Sequence, residues 1–256
     1  MGRIIAIANQ KGGVGKTTTA VNLSAALAAR GKKTLLVDMD PQGNTTSGLG
    51  LEKNELDKTT YEVITGEEKI QNCIVKDLFD NLSLLPANRN LAGAEIELMT
   101  VDKMQFIMKH NLEKVKKQYD FIIIDCMPSL GMMTINALAC ADSVLIPVQA
   151  AYLPVKGLQQ LIKTIGRVKK QLNPKLKIEG ILLTMVDNRT NYARDISLMV
   201  YDTYSASIKV FGTEIPMSVR ASEVSVEGGS IYSYDPKGKA AFAYMALTKE
   251  VLKEAE

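Results

Sequence analysis

Apolar residues in this chain fall into short runs set apart by longer stretches of mixed polarity. The runs lie at residues 4–8, 34–37, 82–85, 121–124, 143–148 and 178–186. Those at 4–8 and 121–124 show no polar alternation, which predicts strands buried on both faces, as in a parallel sheet. The intervening stretches have helical spacing. Helices are expected over 20–30, 130–139, 154–172, 191–205 and 239–256, the last with an apolar stripe at Ala240, Tyr244, Leu247 and Val251. Gly31 closes the first helix, and Pro154 suits a first turn. Residues 90–118 also read as helical, with a break near Val101. Residues 45–80 are the hardest to read. Here the polar, glycine-rich 45–51 precedes a short helix at 57–64, and residues 70–75 lead to a small edge element. Residues 209–216 predict a short strand and turn. Strand and helix alternating along a whole chain give a mostly parallel β-sheet flanked by helices on both faces. No repeat, low-complexity linker or compositional break divides the chain, so residues 1–256 are expected to form a single α/β domain.

Composition narrows the chemistry. The chain is 46% hydrophobic and 23% charged, with no Trp and a net charge of +3. That charge alone does not announce a nucleic-acid binder. Residues 1–150 carry 16 Lys+Arg against 17 Asp+Glu and residues 151–256 carry 15 against 11, a mild basic bias that is compatible with a phosphate-contact face and equally with ordinary solvated surface. Cys73, Cys126 and Cys140 have no CxxC spacing and His110 is the single histidine, which argues against structural zinc. The chain enters its first strand at once, without a leader pattern, and no apolar run reaches bilayer length. A cytoplasmic location is expected.

The first run leads into Asn9-Gln10-Lys11-Gly12-Gly13-Val14-Gly15-Lys16-Thr17-Thr18-Thr19, and a helix follows. Strand, glycine-rich turn, lysine, hydroxyl and helix together form a phosphate-binding loop. Glycines let backbone N–H groups crowd around an anion, the helix start adds partial positive charge, Lys16 adds a full charge, and the Thr17 hydroxyl can ligate Mg²⁺. The second run ends in Asp38-Met39-Asp40-Pro41-Gln42-Gly43, and the run at 121–124 ends in Asp125, a Walker B pattern. Both place carboxylates at the carboxyl edge of a parallel sheet, where ligands sit. The expected chemistry is ATP/ADP binding with Mg²⁺ near Thr17, Asp40 and Asp125, and water as nucleophile. The cradle would be Gly12, Gly13, Val14, Gly15, Lys16, Thr17 and Thr18. The general loop pattern has glycine where this chain has Gln10, and a second lysine, Lys11, precedes the glycine pair. From the sequence alone Lys11 is equally a solvated loop charge.

This deviant Walker A arrangement resembles the ParA/MinD class of P-loop ATPases, in particular the Soj/ParA branch of chromosome and plasmid partition proteins. The resemblance spans nearly the whole chain. It includes residues 38–50, 91–98 (Leu-Ala-Gly-Ala-Glu-Ile-Glu-Leu), 125–136, 183–190 and the tail from Tyr234. It implies a P-loop NTPase fold, slow switch-type ATP hydrolysis, and an ATP-dependent homodimer in which Lys11 reaches the partner subunit's phosphates. It also makes Asp40 the acid tied to hydrolysis and brings Pro216 near the adenine. Arg189 and Arg220 become candidate contacts to non-specific double-stranded DNA, and a DNA-bound ParB-like adaptor becomes the expected stimulator. Nucleoid association would follow.

The chain departs from the family at Met127, where Pro is usual, at Met217-Ser218, where Arg-Asn is usual, and across 222–228. One basic contact is thereby missing. The competing reading is a MinD-like membrane-cycling ATPase. Such relatives end in a basic amphipathic helix, whereas this sequence ends Lys-Glu-Val-Leu-Lys-Glu-Ala-Glu, acidic at its tip, so no membrane partner is expected. An iron–sulfur carrier would need a cysteine pair at the dimer face. A ligase on the same fold would need a second substrate site.

Overall fold

The structure is a computed structural model and describes residues 2–151, 154–187 and 189–253. Asn188 and the last three residues, which the sequence analysis puts in a motif and in the terminal helix, lie outside the described residues. The strands are β1 (Arg3–Ile7), β2 (Thr34–Met39), β3 (Val75–Phe79), β4 (Leu82–Leu85), β5 (Phe121–Cys126), β6 (Ser143–Gln149) and β7 (Lys177–Thr184). Among the described residues they form one sheet in the order β3-β4-β2-β5-β1-β6-β7, parallel except for the antiparallel edge strand β3.

The helices are α1 (Lys16–Ala29), α2 (Asn44–Gly48), α3 (Thr60–Thr65), α4 (Ile70–Cys73), α5 (Leu91–Glu97), α6 (Ile107–Glu113), α7 (Met132–Cys140), α8 (Pro154–Gln171), α9 (Asn191–Tyr204), α10 (Val219–Glu227), α11 (Ile231–Tyr234) and α12 (Lys239–Lys253). The strand period of two sorts the sheet residues into two cores. Ile4, Ala6, Leu35, Val37 and Met39 pack under α3 to α9. Ile5, Ile7, Leu36, Leu82 and Leu84 pack under α1 and α10 to α12. The stripe of α12 lies in the second core, with Ala240, Tyr244, Leu247 and Val251 all buried. Each large side chain so buried contributes roughly 1.5–3 kcal/mol. Among the described residues no helix is long and apolar enough to cross a membrane.

The α/β class and the single mostly parallel sheet agree with the sequence reading. Three stretches differ from it. Residues 90–118 break near Val101 as expected, but the break is wider than one residue: α5 and α6 are separated by two 3₁₀ turns, with Lys103 in the left-handed region at φ 56°. Residues 209–216 form isolated bridges, Val210 to Ile181 and Pro216 to Val186, in place of a strand. Between these bridges Glu250 accepts from the backbone of Gly212 and Thr213, which draws the chain away from β7. The third is α10, unforeseen by periodicity and started by Ser218, whose side chain accepts from the Ala221 N–H.

Parallel register is what assembles the site. Asp125 stands opposite Ile7 on one side and Asp38 on the other. The glycine-rich loop after β1 and the acidic turns after β2 and β5 therefore emerge together at one edge.

Candidate active site at the carboxyl edge of the sheet

The loop between β1 and α1 is built on backbone that only glycine adopts without strain at two points: Gly13 at φ 69° and Gly15 at φ 79°. Among the described residues a Cβ added at Gly12 or Gly13 would meet no atom within 4 Å. The loop is anchored from outside. Thr184 at the end of β7 donates to the Val14 carbonyl at 3.0 Å, and Asn9 donates to the Pro147 carbonyl at 2.7 Å while accepting from the Lys11 N–H at 3.0 Å. Gln10, the departure from the general pattern, donates to the Gly157 carbonyl on α8 at 3.1 Å.

The two lysines diverge. Lys16 is buried, and its Nζ donates to the Lys11 carbonyl at 2.9 Å. Burial holds its ammonium below the ordinary lysine range, opposed chiefly by the charge of Asp125. Lys11 is exposed, and its side chain makes no ion pair or hydrogen bond among the described residues.

Asp125 is buried at the end of β5. Its Oδ2 accepts from Thr17 Oγ1 at 2.8 Å and from Thr45 Oγ1 at 2.6 Å, while its Oδ1 is buried without a hydrogen-bond partner among the described residues. An orphaned carboxylate oxygen beside a threonine hydroxyl fits a hard divalent cation. Among the described residues no cluster of three Asp, Glu, His or Cys side chains forms a cage. The set suits Mg²⁺, which takes one or two carboxylates and leaves other positions to water and phosphate. Asp40 is buried, accepts from the Gln42 N–H at 2.9 Å, and acts electrostatically on both Lys16 and Asp125.

Two residues outside the expected set hold these groups. Thr45, on the first turn of α2, shares Asp125 with Thr17. Asp38 is fully buried and accepts from Thr46 N–H at 2.9 Å, Thr46 Oγ1 at 2.7 Å and Asp40 N–H at 3.1 Å. Thr46 in turn accepts from the Ala87 N–H at 2.8 Å, tying the acidic turn to the end of β4. The run of small polar residues after Asp38 was the available signal.

Burial pushes Asp38 up to about 7, with the charge of Asp125 adding to it, and burial pushes Asp125 up to about 6. Both lie above the ordinary carboxylate value of the unfolded chain. Their stabilising contribution is therefore fully present below that value and lost as pH rises through the folded one. For Asp38 the loss between pH 6 and pH 8 is on the order of 1 kcal/mol. The nucleotide-free protein should accordingly melt about 2–4 °C lower at pH 8 than at pH 6, read by scanning calorimetry without divalent cations.

Pro216 lies in the wall of a cleft of about 110 Å³ beside Gly15 and Thr18, together with Thr184, Ile215 and Met217. Two larger pockets, of about 720 and 580 Å³, open at the opposite, amino edge of the sheet near Lys33 and Lys177, away from these groups. Arg189 and Arg220 follow neighbouring segments, since Val186 bridges Pro216. Both are exposed and each faces an acid. Arg189 grips Asp187 with two bonds of 2.8 Å, and this hydrogen bonding lowers the Asp187 carboxyl to about 2; Arg220 stands 3.8 Å from Asp235. All three cysteines are buried and free of disulfides, and burial drives the Cys126 thiol well up, which suits packing rather than cluster ligation.

A strand, a left-handed glycine turn, a buried lysine and a threonine on a Walker B acid define the class as a P-loop nucleoside triphosphatase. A family model described as an AAA domain matches residues 2–178. The sporulation initiation inhibitor protein Soj of Bacillus subtilis (strain 168) is 50% identical over 251 residues, covering 98% of each chain. The chromosome partitioning protein ParA of Myxococcus xanthus (strain DK1622) is 48% identical over 253 residues, covering 99% of this chain and 89% of its own. Among solved structures, cobyrinic acid a,c-diamide synthase from Mycobacterium smegmatis with bound ATP analog and magnesium superposes with a TM-score of 0.89 at 37% identity, over 100% of this chain and 96% of that one. The chain belongs to the ParA/MinD family of P-loop ATPases, in its Soj/ParA branch.

Proposed function

We propose that this protein is a DNA-partition ATPase. In this reading its ATP-bound homodimer binds double-stranded DNA without sequence preference, and hydrolysis, stimulated by a DNA-bound ParB-like adaptor, releases it. The observation that carries the reading is the divergence of the two lysines. Lys16 is turned inward onto its own loop, and Lys11 is exposed with no side-chain partner among the described residues, as a group serving a second subunit requires. Likeness to Soj and ParA over almost the whole chain supports the partition role.

In the proposed cycle the backbone N–H groups of residues 12–18 cradle the phosphates, and Lys16 releases the Lys11 carbonyl to meet them. Thr17 would hold Mg²⁺, with Asp125 and Asp40 alongside. Bound there, the ion would neutralise charge that develops on the transferring phosphoryl group. Asp40 orients the attacking water, and its position at the end of β2 is fixed from both sides by Asp38 and Gln42. Thr45 and Thr17 keep the Asp125 carboxylate in one rotamer. Pro216 and its cleft receive the adenine. Lys11 crosses to the partner's phosphates, so closure reports nucleotide state to the neighbouring subunit. The closed pair then presents Arg189 and Arg220 to DNA phosphates, giving affinity and salt dependence without base readout. Nucleoid association is the consequence in the cell.

The test is co-sedimentation with non-specific duplex DNA in low salt, with ATP or ADP and Mg²⁺. Binding should require ATP. Arg189→Ala with Arg220→Ala should weaken it by about tenfold and flatten the salt dependence by about one unit of slope per arginine. ATP-independent binding, or none, would sink the DNA reading, and ATP-dependent capture by anionic vesicles would favour the MinD-like one.

A further inference from the structure

Residues 91–98, the Leu-Ala-Gly-Ala-Glu-Ile-Glu-Leu run, lie outside the nucleotide site, yet one of them reaches the segment that leaves it. Leu91 and Ala94 seat α5 in the core. Glu95, half-buried beside them, accepts from the Met133 N–H at 3.2 Å through Oε1. That N–H belongs to the first turn of α7. Gly131, the residue that opens α7, supplies no side-chain cap. A Cβ at Gly131 would stand 2.6 Å from Glu95 Oε1, so the missing side chain is what admits the carboxylate. A carboxylate on the first turn satisfies an otherwise open N–H and faces the positive end of the helix dipole.

What α7 starts from is the loop that follows the Walker B strand. Residues 127–131 are all that separate the end of β5, with Asp125, from α7. The loop is bound to that helix: Thr134 Oγ1 donates to the Ser129 carbonyl at 2.8 Å, and the Gly131 N–H donates to Ser129 Oγ at 3.2 Å. Further along, buried Asn136 donates to the Met104 carbonyl at 3.0 Å and accepts from the Met108 N–H at 3.2 Å. Residues 91–108 thus grip α7 at its first turn and at its middle.

We infer that Glu95 is a positioning residue for hydrolysis: its carboxylate caps α7 and so fixes the 127–131 loop beside Asp125, a task assigned to the 91–98 run by the Glu95–Met133 bond and the Gly131 gap together. The inference rests on the ATPase reading only for its effect on turnover. The positioning itself can be read without nucleotide.

Hydrogen exchange of the nucleotide-free protein, followed by mass spectrometry, provides that reading. Glu95→Ala should speed exchange in peptides covering 127–135 by about fivefold and leave the 9–19 loop unchanged. Glu95→Gln keeps an acceptor oxygen and should restore slow exchange. In steady-state hydrolysis Glu95→Ala should lower kcat by about five- to tenfold with KM within about twofold, and Gln should recover it. Gly131→Ala, which displaces the carboxylate, should copy Glu95→Ala, and the double variant should be no worse than either single one. Unchanged exchange in Glu95→Ala overturns the cap. Faster exchange with wild-type kcat, a Gln variant as impaired as Ala, or additive losses in the double variant overturn its role in turnover. Should the wild type itself fail to hydrolyse ATP, the ATPase reading falls, while the exchange data still judge the cap.

Discussion

Lys11→Ala should bind ATP and stay a monomer. The structure separates the two lysines cleanly enough for this to be a sharp expectation. Lys16 is buried with its Nζ on the Lys11 carbonyl, whereas the Lys11 side chain is exposed and makes no bond among the described residues. Only the backbone of Lys11 takes part in the loop, through its carbonyl and through its N–H to Asn9, and alanine keeps both. Truncation should therefore change folding stability by no more than about 0.5 kcal/mol, the usual range for an exposed site. In the proposed dimer the same truncation strikes twice, because two-fold symmetry removes both crossing lysines. Each loss would leave phosphate charge unmatched at a closed interface, so the dimer dissociation constant should rise at least about 100-fold. Sedimentation velocity with ATP and Mg²⁺ measures this directly, and a fluorescent nucleotide should bind within about threefold of wild type. Lys16→Ala is the contrast, since it should lose nucleotide affinity itself. A Lys11→Ala protein that dimerises with ATP at wild-type concentrations would return Lys11 to a solvated loop charge and take the trans-acting role with it.

How far such a site can be read in advance depends on whether its parts are contiguous. The glycine turn, Lys16 and Thr17 lie in one stretch, and β5 announces itself because a strand buried on both faces must be apolar throughout. Asp125 was legible because it closes such a run, and Asp38 and Asp40 because they follow the run at 34–37, with the choice of Asp40 coming from the family resemblance. Which hydroxyls Asp125 and Asp38 hold was not, since Thr45 and Thr46 lie 80 and 8 residues away, and only the small polar residues after Asp38 hinted at them. The Thr184 bond to Val14 spans 170 residues and exists only because the β7 end reaches the loop at this edge. The run at 91–98 was visible as a motif but silent about purpose, because what Glu95 touches is decided by the packing of α5 against α7. Residues 209–234 were obscured differently. Their bridges, the short helix α11 and α10 depend on Glu250, on Ser218 and on contacts with α2 rather than on periodicity.

Asp40→Ala should hold the ATP dimer closed by abolishing its exit. Asp40 is the carboxylate best placed to handle water. It stands past the last residue of β2, buried, with its N–H donated to Asp38 and its Oδ1 held by the Gln42 N–H. Asp125 is already engaged by two threonine hydroxyls through Oδ2, and its orphaned Oδ1 suits a cation, which leaves Asp40 for the nucleophile. Removing a positioned general base or water-orienting group costs about 10²- to 10⁴-fold in turnover. Nucleotide binding should survive, since the cradle and Lys16 are untouched and one negative charge beside Asp125 is gone. The variant should therefore release phosphate at least about 100 times more slowly while remaining dimeric after free ATP is removed, because in the proposed cycle hydrolysis, not dissociation, opens the pair. Asp40→Asn refines the argument. Its side-chain oxygen can still accept from Gln42, so the turn keeps its shape while proton affinity is lost. If Asn hydrolyses as slowly as Ala, the carboxylate acts chemically; if Asn is near wild type, Asp40 only shapes the turn. Normal phosphate release by Asp40→Ala would remove Asp40 from the mechanism and leave Asp125 as the sole acid at the reacting phosphate.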